Sequence, residues 1–134
     1  MNQTPDNPPR SVLLRHTLPD GTGHFDWFLE DRPAQVLRSF RLAIDPLASD
    51  ALAFEASPAS DHRLAYLDFE GEVSGGRGHV SRVWRADMRS CFLGKHFVRV
   101  LLHAPDGLVR LHGRSLRSGL WVFRRPQRPQ IHIA

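Results

Sequence analysis

An all-β chain of about eight short strands with one short helix, folded as a barrel or a sandwich, is what these 134 residues predict. Three observations carry that expectation. Short runs rich in Val, Leu, Phe and Trp recur along the chain. Turn residues separate them, including two Pro-Asp-Gly triplets at 19–21 and 105–107. Alternation is clean in the later runs: Phe97, Arg99, Leu101 and His103 fall on one side, and Val98, Val100 and Leu102 on the other.

The elements follow in order. Residues 1–10 are polar and Pro-rich and read as a loose tail. Residues 11–15 form the first strand, and the 19–21 turn follows, where Pro presets one dihedral and Gly accepts positive φ. Residues 24–31 form the second, closed by Arg32-Pro33; 36–43 the third, closed by Asp45-Pro46; 52–56 the fourth. Residues 61–71 are the one helical expectation, with Asp61 as cap and Gly71 as stop, so that one turn places His62 and Tyr66 on the same side. Beyond Gly75-Gly76 come strands at 78–86, 96–103, 108–112 and 120–124. Residues 11–125 make one domain, and 126–134 a basic C-terminal tail.

Composition narrows the class. No run approaches the roughly 20 apolar residues of a membrane helix, and no signal-type stretch opens the chain, so no membrane contact and a cytoplasmic location are expected. Cys91 is the sole cysteine, which excludes an internal disulfide, fits a reducing compartment and suggests a small buried hydrophobe. The net charge is +4, and of the 18 basic residues only Lys95 is a lysine. Arginine forks suit phosphate oxygens, though a GC-rich genome produces the same bias.

The most informative window is 16–30, which sets His16, His24 and Asp26 around a Gly-containing turn. As a strand from 24 onward, it presents His24, Asp26, Phe28 and Glu30 on one face and Phe25, Trp27 and Leu29 to a core. Two imidazoles and one carboxylate suit an open, catalytic divalent-metal site better than a closed structural one. Trp27, Trp84 and Trp121 read as core residues, and Gly75-Gly76-Arg77-Gly78 as a hairpin loop without the lysine of a phosphate-binding loop.

Three blocks together resemble the 3′-phosphoesterase domain of bacterial DNA ligase D. The family motif K-H-x-A-x-x-L-H-Y-D-F-R-L-E is similar to Arg15-His16 plus, after a longer loop, His24-Phe-Asp26-Trp-Phe28-Leu-Glu30. The block D-H-P-x-x-Y-x-x-F-E-G is similar to Asp61-His62-Arg-Leu-Ala-Tyr66-Leu-Asp-Phe-Glu-Gly71. The block L-x-G-x-x-x-x-G-x-W-x-L is similar to Leu111-His-Gly113 through Gly119-Leu-Trp121-Val122. The resemblance implies a β-barrel with one metal, usually manganese, in a polar cleft. It implies removal of a 3′-phosphate or 3′-ribonucleoside from DNA ends or primer-templates during repair, with ligase and polymerase partners on another chain. It implies that His16, His24 and Asp26 hold the metal and that His62 and Tyr66 contact the scissile phosphate. Arg15 is a candidate electrostatic helper there, with Arg63 and Arg77 as other cations able to reach the cleft.

Phe28 stands where the family carries a phosphate-binding arginine, and Ser60 where it carries an acidic residue. Loss of such an arginine in a dry site costs about 2–4 kcal/mol of transition-state stabilisation. A degenerate domain that binds DNA ends or a repair partner without turnover therefore stays open. So does a non-haem iron oxygenase, in which His24 and Asp26 combine with a distant His79, His103 or His112.

Overall fold

Alternation in the second strand governs the whole architecture. Trp27 and Leu29 are fully buried on one face, with Phe25 packed beside them, while Asp26 and Phe28 turn to the other. The computed structural model describes residues 7–48 and 50–126. Its strands are β1 (Arg10–Thr17), β2 (Gly23–Asp31), β3 (Val36–Leu42), β4 (Ala53–His62), β5 (Gly71–Glu72), β6 (His79–Leu93), β7 (Phe97–Ala104), β8 (Gly107–Ser115) and β9 (Trp121–Arg124). All pairings are antiparallel, in the order β1-β2-β3-β4-β9-β8-β7-β6, and β6 returns to β1 to close an eight-stranded barrel. The short β5 is the extra strand, paired to the start of β6. Closure leaves the eight strands without a free edge. No helix is long and apolar enough to cross a membrane.

The barrel interior is an aromatic and aliphatic cluster. The Phe123 ring lies 5.0 Å from Trp27, 5.1 Å from Phe40 and 5.5 Å from Phe54, the last nearly parallel to it. Trp121 is buried and Trp84 partly so, its indole N–H donating to Asp45. The buried Trp27 N–H donates to Ser11 Oγ at 2.7 Å, and Ser11 donates in turn to the Phe28 carbonyl, so this polar pair inside the barrel is satisfied. Gly113 is required by packing, because a Cβ there would sit 2.4 Å from a Phe123 ring carbon.

A second, smaller cluster lies outside the barrel wall. Val12, Leu14, Phe28 and Leu37 face outward from β1 to β3 and are covered by Leu67 and Val80, with Tyr66, Phe69 and Val73 packed against them. The stretch between β4 and β6 is thus clamped onto the wall by apolar burial, worth about 1.5–3 kcal/mol for each fully buried large side chain. The clamp turns an exposed sheet face into a cleft.

Several expected boundaries shift. The helix expected over 61–71 is a single 3₁₀ turn, Leu64–Asp68. Asp61 and His62 belong to β4, where His62 pairs with Leu37, so the expected cap is committed to the sheet and Arg63 stands before the turn without a side-chain cap. β4 runs through Pro58, opposite Phe40, in a stretch whose pairing with β3 shifts register. Its Ser-Pro-Ala-Ser segment carries no β signal. β6 continues past residue 86 because it changes partner, pairing with β1 up to Asp87 and with β7 from Asp87 onward. Cys91 therefore lies on a strand and is exposed, not a core residue; crowding around its sulfur, with Asp31 and Glu30 nearby, still pushes its thiol pKa up. The end of the expected N-terminal tail is bound: the Pro9 carbonyl accepts from Met88 N at 2.7 Å, and Arg32 holds the Asn7 and Pro8 carbonyls. Residues 1–6 and 127–134 of the two expected tails lie outside the described residues.

Candidate metal centre and cleft

The turn between β1 and β2 builds the centre. Leu18 N–H donates to Thr22 O at 2.7 Å and Gly21 N–H to Leu18 O at 2.9 Å, while Asp20 accepts from the Thr22 amide and hydroxyl. Those Thr22 hydrogen bonds hold the Asp20 carboxyl below its ordinary pKa. The tight hairpin makes His16 and His24 direct cross-strand partners, and Leu14 and Asp26 the next such pair. Directly opposed residues share a face, so all three polar groups converge outside the barrel. Gly23 is needed at this crossing, because a Cβ there would meet the His16 carbonyl at 2.3 Å.

The three ligand atoms lie within 4.8 Å of one another, and this is the one such cluster of His, Cys, Asp or Glu among the described residues. Asp26 Oδ1 is 3.2 Å from His24 Nε2, and Oδ2 is 3.8 Å from His16 Nδ1. Ligands each about 2.1 Å from a shared ion stand about 3–3.5 Å apart, so small side-chain adjustments close the set.

Hydrogen bonding orients the His16 imidazole. His16 Nε2 lies 2.8 Å from the Arg77 carbonyl, which only accepts, so Nε2 donates there and Nδ1 is the ring nitrogen that faces Asp26. Burial lowers the His24 pKa, opposed by Asp26 and reinforced by Arg41 and His16. Its buried Nε2 makes no well-aligned hydrogen bond, its polar neighbour being Asp26 Oδ1 at 3.2 Å. A divalent cation would satisfy that nitrogen, and three protein donors would leave further positions open.

Beside the centre lies a cleft of about 430 Å³, lined among others by His16, Asp26, Phe28, Arg41, His62 and Tyr66. His62 and Tyr66 meet as expected, ring centroids 5.3 Å apart, but across the junction of β4 with the 3₁₀ turn rather than along a helix. The buried Ser39 hydroxyl donates to the Leu37 carbonyl, so its oxygen accepts from His62 Nδ1–H at 2.9 Å and Nε2 is left available. Phe28 lies on the cleft face as expected, buried, its ring 4.8 Å from that of His62.

Other expected residues are placed elsewhere. Arg15 pairs with Phe25 on the opposite face from His16, its guanidinium 5.0 Å above the Phe25 ring, and it does not line the cleft. Strand alternation turns it away. Arg63 does not line the cleft either. Arg77 reaches it, yet its guanidinium folds back onto Ser74, so its contribution to the centre is the backbone carbonyl. Glu30 is held by Arg10 and Arg32. His79, His103 and His112 are outside the His16–His24–Asp26 cluster, so the triad with a distant histidine is not assembled among the described residues; His79 lies beside Glu72.

Arg41 is the cleft residue that sequence reasoning missed. It pairs across strands with Asp26 and lines the cleft. Its outward position was legible from the buried Phe40 and Leu42 on either side, but its meeting with Asp26 depends on the β2–β3 register. A larger depression of about 640 Å³, lined by Pro9, Arg32, Met88 and Cys91 among others, holds none of these groups. No family model and no curated protein matches the chain, and the site stands on its own geometry.

Proposed function

We propose that this protein is a metal-dependent phosphoesterase that processes 3′ ends of DNA, removing a 3′-phosphate or 3′-ribonucleoside during repair. The observation that carries the reading is the His16–His24–Asp26 cluster opening onto a cleft that also holds His62, Tyr66 and Arg41. A divalent cation, manganese by the resemblance to the ligase D phosphoesterase domain, supplies Lewis acidity toward a phosphate oxygen and lowers the pKa of water.

The chain's own groups do the rest. Arg41 brings positive charge to a phosphate beside Asp26 from β3, offsetting the uncharged Phe28. His62, oriented by Ser39 through Nδ1, would in its doubly protonated form give the Nε2 proton to the departing oxygen, the 3′ oxygen when phosphate is released and the 5′ oxygen of the nucleoside when a ribonucleoside is. The Tyr66 hydroxyl is a neutral donor for a phosphoryl oxygen. Leu14, Phe28 and Val80 line the cleft with apolar surface that limits water. The partners are DNA ends or primer-templates and ligase or polymerase chains, in the cytoplasm.

Metal analysis of the purified protein, alongside cleavage of a 3′-phosphorylated primer-template with and without manganese, tests this reading. Manganese uptake with phosphate release is expected. His24→Ala should abolish uptake while leaving the fold intact; unchanged metal content in that variant sinks the centre. Phe28 favours a second reading, a domain that binds DNA ends without turnover. Retained manganese with no product from either 3′-phosphate or 3′-ribonucleotide ends would select it.

A further inference from the structure

The outer wall formed by β6 to β9 lies across the barrel from the metal centre: β8 stands four strands from β2 around the ring in either direction. Register aligns one row across that wall, Phe92 on β6, Arg99 on β7, His112 on β8 and Arg124 on β9. At about 4.8 Å between strands, the row spans about 14 Å. Arg110 and Arg114 flank it on β8, opposite Leu101 and Phe97.

The four arginines are exposed. Among the described residues none pairs with a carboxylate, whereas Arg10, Arg32 and Arg85 do. The acidic residues nearest by register, Glu55 beside Val122 and Asp87 beside His103, stand outside the row. The charges act on one another: partial burial lowers the His112 pKa, and Arg99, Arg110 and Arg124 lower it further. The aromatic component is equally unusual. Phe92 is 60% exposed, between depressions of about 270 and 470 Å³ that also reach Arg99. The Arg99 guanidinium stacks over Phe97 at 4.6 Å, its fork still open to an anion.

We propose that the β6–β9 wall binds single-stranded nucleic acid, with phosphates against Arg99, Arg110, Arg114 and Arg124 and a base stacked on Phe92. Planar guanidinium forks match phosphate oxygens, and an exposed ring on a basic sheet face accepts any base. This surface is independent of the metal centre and needs no metal.

The test is fluorescence anisotropy of a labelled oligothymidine of about 10 nucleotides, in EDTA and over a salt series. Wild-type protein should bind, with affinity falling as salt rises. Replacing Arg99 and Arg124 together by Ala should weaken binding at least tenfold and reduce the salt slope by about 1.4, the contribution of two single-strand phosphate contacts. Phe92→Ala should weaken binding about fivefold or more with the slope unchanged. All three side chains project from the barrel, and circular dichroism checks that the variants remain folded. Wild-type affinity in the Arg99/Arg124 variant overturns the proposal. So does binding to phosphatidylserine vesicles without binding to the oligonucleotide. EDTA removes the cleft chemistry from the measurement, so an inactive cleft leaves this outcome unaffected.

Discussion

Arg41 shows how one side chain can change the meaning of another. Phe28 gives the cleft an uncharged ring from β2, and Arg41 brings a cation into the same cleft from β3. If the proposed chemistry holds, Arg41→Ala should lower kcat/KM on a 3′-phosphorylated end by about 10²–10³-fold, with metal content unchanged; a loss under threefold would count against its role. His112 offers a second measurement. Its folded pKa is depressed, so the neutral ring is favoured in the folded state. Acidification below the ordinary value of 6.5 therefore protonates the unfolded chain first, and stability falls as pH drops through the folded pKa. An NMR titration should place the His112 pKa under 6.5, with an upward shift in Arg99→Ala; a normal value in the wild type would refute the shared field.

At the scale of single elements, β7 was readable because strict alternation coincides with one buried face, whereas β2 was readable from its Phe25, Trp27 and Leu29 side although Phe28 and Glu30 are buried on the other. The convergence of His16, His24 and Asp26 was readable from the short turn, which makes His16 and His24 cross-strand partners. The second half of β4 was not, since Ser57-Pro58-Ala59-Ser60 carries no local β preference and is held by pairing with β3. The missed extension also displaced the helix, because Asp61 resembles a cap only while its backbone is unpaired. Arg41 was hidden differently, its residue visible but its neighbour set by register. β8 supplies an element-level test. Gly113→Ala should destabilise the protein by about 1–3 kcal/mol in urea, since the new methyl strikes the Phe123 ring. Wild-type stability would mean that the ring moves freely.

For the whole molecule, the closed ring joins the site to global stability. The centre spans β1 and β2, and its carbonyl partner comes from the loop before β6, the strand that completes the ring against β1. An ion that binds only the folded barrel should therefore raise the melting temperature. Manganese at about 100 times its Kd adds about 2.7 kcal/mol. Calorimetry should record this increase in the wild type and not in His24→Ala, and an equal shift in both would place the ion elsewhere.

β2 has opposite duties on its two faces, with Trp27 and Leu29 inside the barrel and His24 and Asp26 outside. This makes its length far less negotiable than its loops. Adding a residue to the 18–22 turn changes only how far the hairpin projects. Adding one between His24 and Trp27 moves either ligands inward or tryptophan outward, because every later side chain changes sides. A lineage carrying this barrel can thus drift in loop length and surface charge, while any insertion or deletion within those few residues is lost at once, through folding and function together.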